Sequence, residues 1–210
     1  MQKFKVELLS ITPEAEKVIE IAGRTSYQSH DKITKESSKK FIQNIIRMGH
    51  LSVLEHASAT FRISGVSRSL THQLVRHRLA SFTQQSQRYV DEANFNIIIP
   101  PSIKENQDAL QIYNKFMETA RDTYLKLREM NILKEDARYV LPNATATEIV
   151  LTANFRELRH IFKLRCDIHA QWEIRLVAID MLKQLKEKVP AVFGDFTIDE
   201  EKNTAVSPYM

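Results

Sequence analysis

Phe4, Val6 and Leu8 alternate with polar neighbours and predict an opening strand. Thr12-Pro13-Glu14 then offers a cap and a first-turn proline for a helix through about Ile21. Phe41, Ile42, Ile45 and Ile46 recur at helical spacing and stop at Gly49, after which Ala57, Ala59, Phe61 and Ile63 alternate with polar residues as a half-buried strand. From Ser67 the pattern is helical again through about Arg78. The polar run Ser81 to Arg88 has no apolar face and no Gly or Pro, so it reads as an ordered loop. Leu110, Tyr113, Phe116, Met117, Ala120, Tyr124 and Leu127 mark a long amphipathic helix, and a short helical piece at Ala137 to Leu141 stops at Pro142. Thr145, Thr147, Ile149, Leu151 and Ala153 alternate as a strand. Asn154 to Glu157 has the spacing of a capping box and launches a helix carrying Leu158, Ile161 and Phe162; Ile174, Val177, Ala178, Met181, Leu182 and Leu185 mark another. This mixture predicts an α+β class. No repeat and no domain boundary is visible, so a single domain over 1–210 is expected, with Asp199 to Met210 as a candidate C-terminal tail.

Composition narrows the picture. The 210 residues are 43% apolar and 27% charged, enough hydrophobic material for a sizeable core, which excludes disordered and collagen-like classes. Four Gly and six Pro are few punctuators, in keeping with long helices. No run approaches the roughly 18 apolar residues of a membrane span, and the start MQKFKVELLS has no signal-peptide core, so no membrane partner is expected. A single cysteine, Cys166, points to a reducing, cytoplasmic home. The net charge of +4 suits a small anion or RNA equally well. Neither G-x-G-x-x-G nor G-x-x-x-x-G-K occurs, which leaves doubly wound nucleotide folds and P-loop enzymes without support.

The densest chemistry is Arg76-His77-Arg78, then the polar run to Gln84-Gln85, then Ser86-Gln87-Arg88. An arginine fork matches phosphate oxygens, and a nearby hydroxyl with backbone amides completes such a site, so Ser86 with Arg88 is a candidate phosphate clamp. The competing readings are a solvated basic turn and an RNA-binding patch spanning Arg76 to Arg88. For RNA, stacking aromatics are wanted and only Phe82 and Tyr89 are near. Gly49-His50 with Glu55-His56 lacks the i, i+4 histidine spacing of a zinc helix, which favours hydrogen-bonding roles and no metal. On the helix from Asn154, Arg156, His160 and Lys163 share one face, while Leu158, Ile161, Phe162 and Arg165 share the other. Arg165 is either a snorkelling side chain or a partly desolvated guanidinium that stabilises a developing anion. Cys166 beside it is a candidate nucleophile or, more commonly for a lone cysteine, a small buried residue.

These clusters, in this order and spacing, resemble the flavin-dependent thymidylate synthases. The matching blocks are Arg76-His77-Arg78 followed by seven residues and Ser86, with Arg88-Tyr89; Gly49-His50 with Glu55-His56; Ala137-Arg138-Tyr139-Val140-Leu141-Pro142; Asn154-x-Arg156; and Leu164-Arg165-x-x-x-His169-Ala170. The resemblance runs over roughly residues 1 to 190. It implies a helix-rich α+β domain with a small antiparallel sheet, assembled as a homotetramer with active sites shared between subunits. It also implies FAD as cofactor, NADPH as reductant, methylenetetrahydrofolate as carbon donor, and conversion of dUMP to dTMP without a protein nucleophile or a nucleic-acid partner. Carried over by motif, Ser52, Arg76, His77, Arg78, Gln84, Asn154, Arg156 and His160 look like flavin contacts. Gln73, Arg76, Gln85, Ser86, Gln87, Arg88, Arg138 and Arg165 look like dUMP contacts, with Arg165 as the catalytic residue. The chain departs from the family's commoner pattern at Thr83-Gln84, where Asn-Glu is usual, and at His160, where some members carry Asn.

Overall fold

A computed structural model describes residues 4–209; Met1 to Lys3 and Met210, the ends of the expected domain over 1–210, lie outside the described residues. The class is α+β, with helices predominating over a small antiparallel sheet. The strands are β1 (Lys5–Ile11), β2 (Ser58–Ser67), β3 (Ser81–Gln84), β4 (Ala146–Asn154), β5 (Thr197–Asp199) and β6 (Thr204–Val206). The helices are α1 (Ala15–Thr25), α2 (Ser37–Arg47), α3 (Arg68–Leu74), α4 (Pro101–Lys104), α5 (Gln107–Glu129), α6 (Lys134–Ala137), α7 (Phe155–Arg165), α8 (Trp172–Lys188) and α9 (Pro190–Phe193). The first four strands form one sheet in the order β1-β2-β4-β3, and β5 pairs antiparallel with β6. The described residues gather into two compact units, one made of residues 4–5, 64–73 and 83–149, the other of 6–63, 74–82 and 150–209.

In the unit built around α5, that helix starts at an Asn106 cap whose side chain accepts from the Ala109 N–H at 3.0 Å, as a short polar side chain at this position does best. Its buried face carries Met117, Ala120 and Tyr124. Three of its polar tips hold the chain segment after the Ser86 turn. The Tyr113 hydroxyl donates to the Ile98 carbonyl at 2.7 Å, Arg121 donates to the Phe95 carbonyl at 2.7 Å, and the Tyr124 hydroxyl accepts the Glu92 N–H at 3.3 Å. This segment has almost no regular structure, so these contacts satisfy backbone groups that a sheet would otherwise satisfy.

In the other unit, α7 and α8 pack against each other and against the short α9. Phe155 and Phe162 meet Phe193 edge-to-face, with ring centroids at 5.3 and 5.8 Å. Asn154 caps α7 as its spacing predicts, accepting the Glu157 N–H at 2.9 Å. The same core encloses an unforeseen ion pair. Arg159 is fully buried, grips Asp195 through two contacts of 2.7 Å, and reaches the Val192 carbonyl and the Ser207 hydroxyl. Burial alone would raise the Asp195 carboxyl, but the hydrogen bonds from Arg159 and Ser207 and the guanidinium charge hold it below its ordinary range.

Three local expectations need correcting. The segment beginning at Ser81 is not wholly a loop, because its first four residues form β3 at the sheet edge, where polar side chains meet water and only Phe82 and Gln84 are partly covered. The helix expected from Ser67 to Arg78 stops at Leu74, and Arg76-His77-Arg78 follow in a turn held by the His77 N–H on the Leu74 carbonyl at 3.1 Å. Thr12-Pro13 does not cap α1. Glu14 enters in a left-handed conformation with φ of 47°, and the Thr12 hydroxyl instead accepts the Ser58 N–H at 2.9 Å.

Candidate active site

In the unit that holds α7, the turn after α3 exposes Arg76 and Arg78 and buries the imidazole between them. His77 is 4% exposed and both ring nitrogens are engaged. Nδ1 lies 3.3 Å from Oε1 of Glu157, and Nε2 lies 3.0 Å from Nε of Arg165. Burial, then the charge of Arg165, then His160 lower the imidazole pKa to about 4, so the ring is neutral at physiological pH. Burial also raises the carboxyl of Glu157 and lowers the guanidinium of Arg165, the latter further depressed by Arg76. The exposed face of α7 carries Arg156 and His160, and Arg156 pairs with Glu55 at 2.6 Å beside the short 3-10 turn that bears Ser52. His160 stands edge-on to His77, ring centroids 5.9 Å apart.

In the α5 unit the turn from Ser86 to Val90 is closed by N–H groups of Tyr89 and Val90 on the Ser86 carbonyl and by the Arg88 N–H on the Ser86 hydroxyl at 3.3 Å. Two guanidiniums converge there on one residue: Arg88 donates to the Glu135 carboxylate at 2.9 Å and Arg138 to the Glu135 carbonyl at 3.1 Å. Gln85 is fixed from three sides, by its N–H on the Glu148 carbonyl, by Arg68 donating to its carbonyl at 2.8 Å, and by its own amide donating to buried Glu92 at 3.2 Å. Gln84 turns its amide nitrogen onto the Thr71 hydroxyl at 2.9 Å. Gln73, on the last turn of α3, is half-buried, as is Gln87 in the Ser86 turn.

Residues 7–191 match the family model described as Thymidylate synthase complementing protein, a span that includes residues of both units. The chain belongs to the flavin-dependent thymidylate synthase family. It is 43% identical over 200 residues to the flavin-dependent thymidylate synthase of Geobacter sulfurreducens, covering 91% of this chain and 86% of that protein. It is 43% identical over 209 residues to that of Nitratidesulfovibrio vulgaris, covering 90% and 85%, and 40% identical over 213 residues to that of Mycobacteroides abscessus, covering 92% and 85%. As a member of this family of enzymes, it holds the residues expected at its flavin and nucleotide sites in two sets. Ser52, Arg76, His77, Arg78, Asn154, Arg156, His160 and Arg165 lie in the α7 unit, and Gln73, Gln84, Gln85, Ser86, Gln87, Arg88 and Arg138 lie in the α5 unit.

The residues present suit the cofactor of a flavin-dependent thymidylate synthase. Arg76 and Arg78 are exposed on one turn with no ion-pair partner among the described residues, and two uncompensated forks side by side are what the phosphates of a dinucleotide need. Sequence reasoning missed Glu157 as more than a capping residue, and missed Glu135, Arg68, Glu92 and Arg159 altogether. For Glu157 and Arg159 a signal existed: both fall among Phe155, Leu158 and Phe162 on the buried side of α7, where an ionisable group must find a partner. Glu135 carried none.

Proposed function

We propose that this protein methylates dUMP to dTMP, taking the carbon from methylenetetrahydrofolate and reducing equivalents from NADPH through bound FAD, in a cytoplasmic homotetramer with shared active sites. Family membership supports the reaction, and Arg76 and Arg78, exposed on the turn that buries the His77 holding Arg165 and without an ion-pair partner among the described residues, are the observation that carries it to this chain's own residues. Ser52, Arg76, Arg78, Gln84, Asn154, Arg156 and His160 are assigned to holding FAD, with His77 buried in the turn between Arg76 and Arg78. Bound FAD supplies hydride chemistry, so the chain needs no nucleophile of its own. Cys166 agrees with that: it is buried and its thiol is pushed up to about 12 by burial, which leaves no thiolate at working pH.

The chain's own groups then act on the nucleotide. Ser86, Arg88 and Arg138 bind the phosphate, with Gln73, Arg76, Gln85 and Gln87 around the rest of dUMP. Arg165 stabilises the negative charge that spreads over the uracil ring as its C6 accepts hydride, acting as a fixed cation and not as an acid or base. No helix among the described residues is long and apolar enough to cross a membrane. The purified protein should be yellow, tetrameric by light scattering, and should oxidise NADPH and form dTMP when dUMP and methylenetetrahydrofolate are present. A colourless protein that binds RNA with steep salt dependence would replace this reading with the nucleic-acid one.

A further inference from the structure

Glu157 lies in the first turn of α7 and Arg165 ends the helix, eight residues and therefore about 12 Å of helix apart. The ring of His77 bridges them, Nδ1 to Glu157 and Nε2 to Arg165. An arginine Nε–H can only donate, so the contact at 3.0 Å requires a lone pair on Nε2. The single proton of the neutral ring must then sit on Nδ1, where Glu157 accepts it. We propose that Glu157 and His77 are positioning residues for the flavin-dependent reaction: Glu157 fixes the tautomer of His77, and that tautomer holds the guanidinium of Arg165 in place. The inference rests on the reading of Arg165 given above.

The direction of each bond makes the device sensitive. If Glu157 is lost, the proton can move to Nε2 and meets the Arg165 Nε–H as donor against donor, which turns a holding contact into a repulsive one. Neutrality of the ring supports the arrangement, since burial and the charge of Arg165 both oppose an imidazolium there. Glutamine preserves an oxygen acceptor for the Nδ1 proton, whereas leucine does not. Charge at position 157 is therefore dispensable and an acceptor is not.

The experiment uses the holoenzyme as wild type, Glu157→Gln, Glu157→Leu, Arg165→Ala and the double variant Glu157→Leu/Arg165→Ala. Glu157→Gln is expected to keep kcat within about threefold of wild type because the amide oxygen accepts the same proton. Glu157→Leu is expected to lose kcat on the order of 10- to 100-fold, the scale of a displaced catalytic group, and to add nothing in the Arg165→Ala background. Nitrogen-15 spectra of histidine-labelled protein should show a neutral His77 protonated at Nδ1 in wild type and in Glu157→Gln. A Gln variant as damaged as the Leu variant, additive losses in the double variant, or a wild-type ring protonated at Nε2 overturns the proposal. An Arg165→Ala enzyme with normal turnover overturns the catalytic reading of Arg165 instead, and the tautomer then tests the holding contact without reference to activity. The wild-type spectrum reads that tautomer even if Glu157→Leu does not fold.

Discussion

Arg88 rests its Nε on the carboxylate of Glu135 at 2.9 Å, an ion pair about half open to solvent on both sides. Such a pair contributes roughly 0–1 kcal/mol, far less than a dianionic phosphate offers the same fork. Glu135 therefore parks Arg88 near Ser86 and Arg138 without committing it.

The first prediction follows from that contact. Arg88→Ala should weaken dUMP binding by more than about tenfold while FAD stays bound, since a charge-assisted contact in a closed site is worth a few kcal/mol. Glu135→Gln keeps the backbone carbonyl that holds Arg138 and removes the competing charge, so it should tighten dUMP by about two- to threefold. Calorimetric titration with dUMP checks both, and an unchanged affinity in Arg88→Ala rejects the clamp.

Arg165→Ala should fold and retain FAD yet lose dTMP formation by on the order of 10²–10³, mainly in kcat, as for an interaction that strengthens in the transition state. Arg165→Lys should recover only part of this, because an ammonium has no Nε–H to place on His77 and no planar fork. Single-turnover flavin oxidation in the presence of dUMP and folate reads the step directly.

Asp195→Ala removes the partner of a fully buried arginine, a change that typically costs about 3–5 kcal/mol. Thermal or urea unfolding should report a loss of that size. The pH dependence has a defined sign: the folded carboxyl titrates below its ordinary range, so its contribution is complete above the unfolded value of about 3.9 and fades as pH falls through the folded one. Wild type should therefore lose stability below about pH 4 more steeply than Asp195→Ala.

Cys166→Ala should leave turnover near wild type and lower stability by no more than about 1–2 kcal/mol, the cost of trimming a small buried side chain. Iodoacetamide should label the native protein negligibly at pH 8, because a buried thiol pushed up to about 12 carries no thiolate there. Rapid loss of activity on labelling would restore Cys166 as a nucleophile.

The sequence by itself determined the elements with a strong period: α5, α7, α8, β2 and β4 all appear where the spacing of apolar residues places them, and the Asn154 cap forms as written. It also determined the order of the basic and amide blocks, because these are contiguous in the chain. Polarity misled it at the edges. β3 was hidden because an edge strand is free to be polar, and α3 ends at Leu74, four residues short of Arg78, where the chain turns and buries His77 against Glu157 and Arg165 while Arg76 and Arg78 stay exposed. What only the tertiary structure decided is which polar groups are buried and by what they are satisfied. His77 sits 80 residues from Glu157, and Arg159 sits 36 from Asp195. A buried polar group is tolerable only beside a partner, and when the partner lies that far along the chain no local pattern can announce the pair.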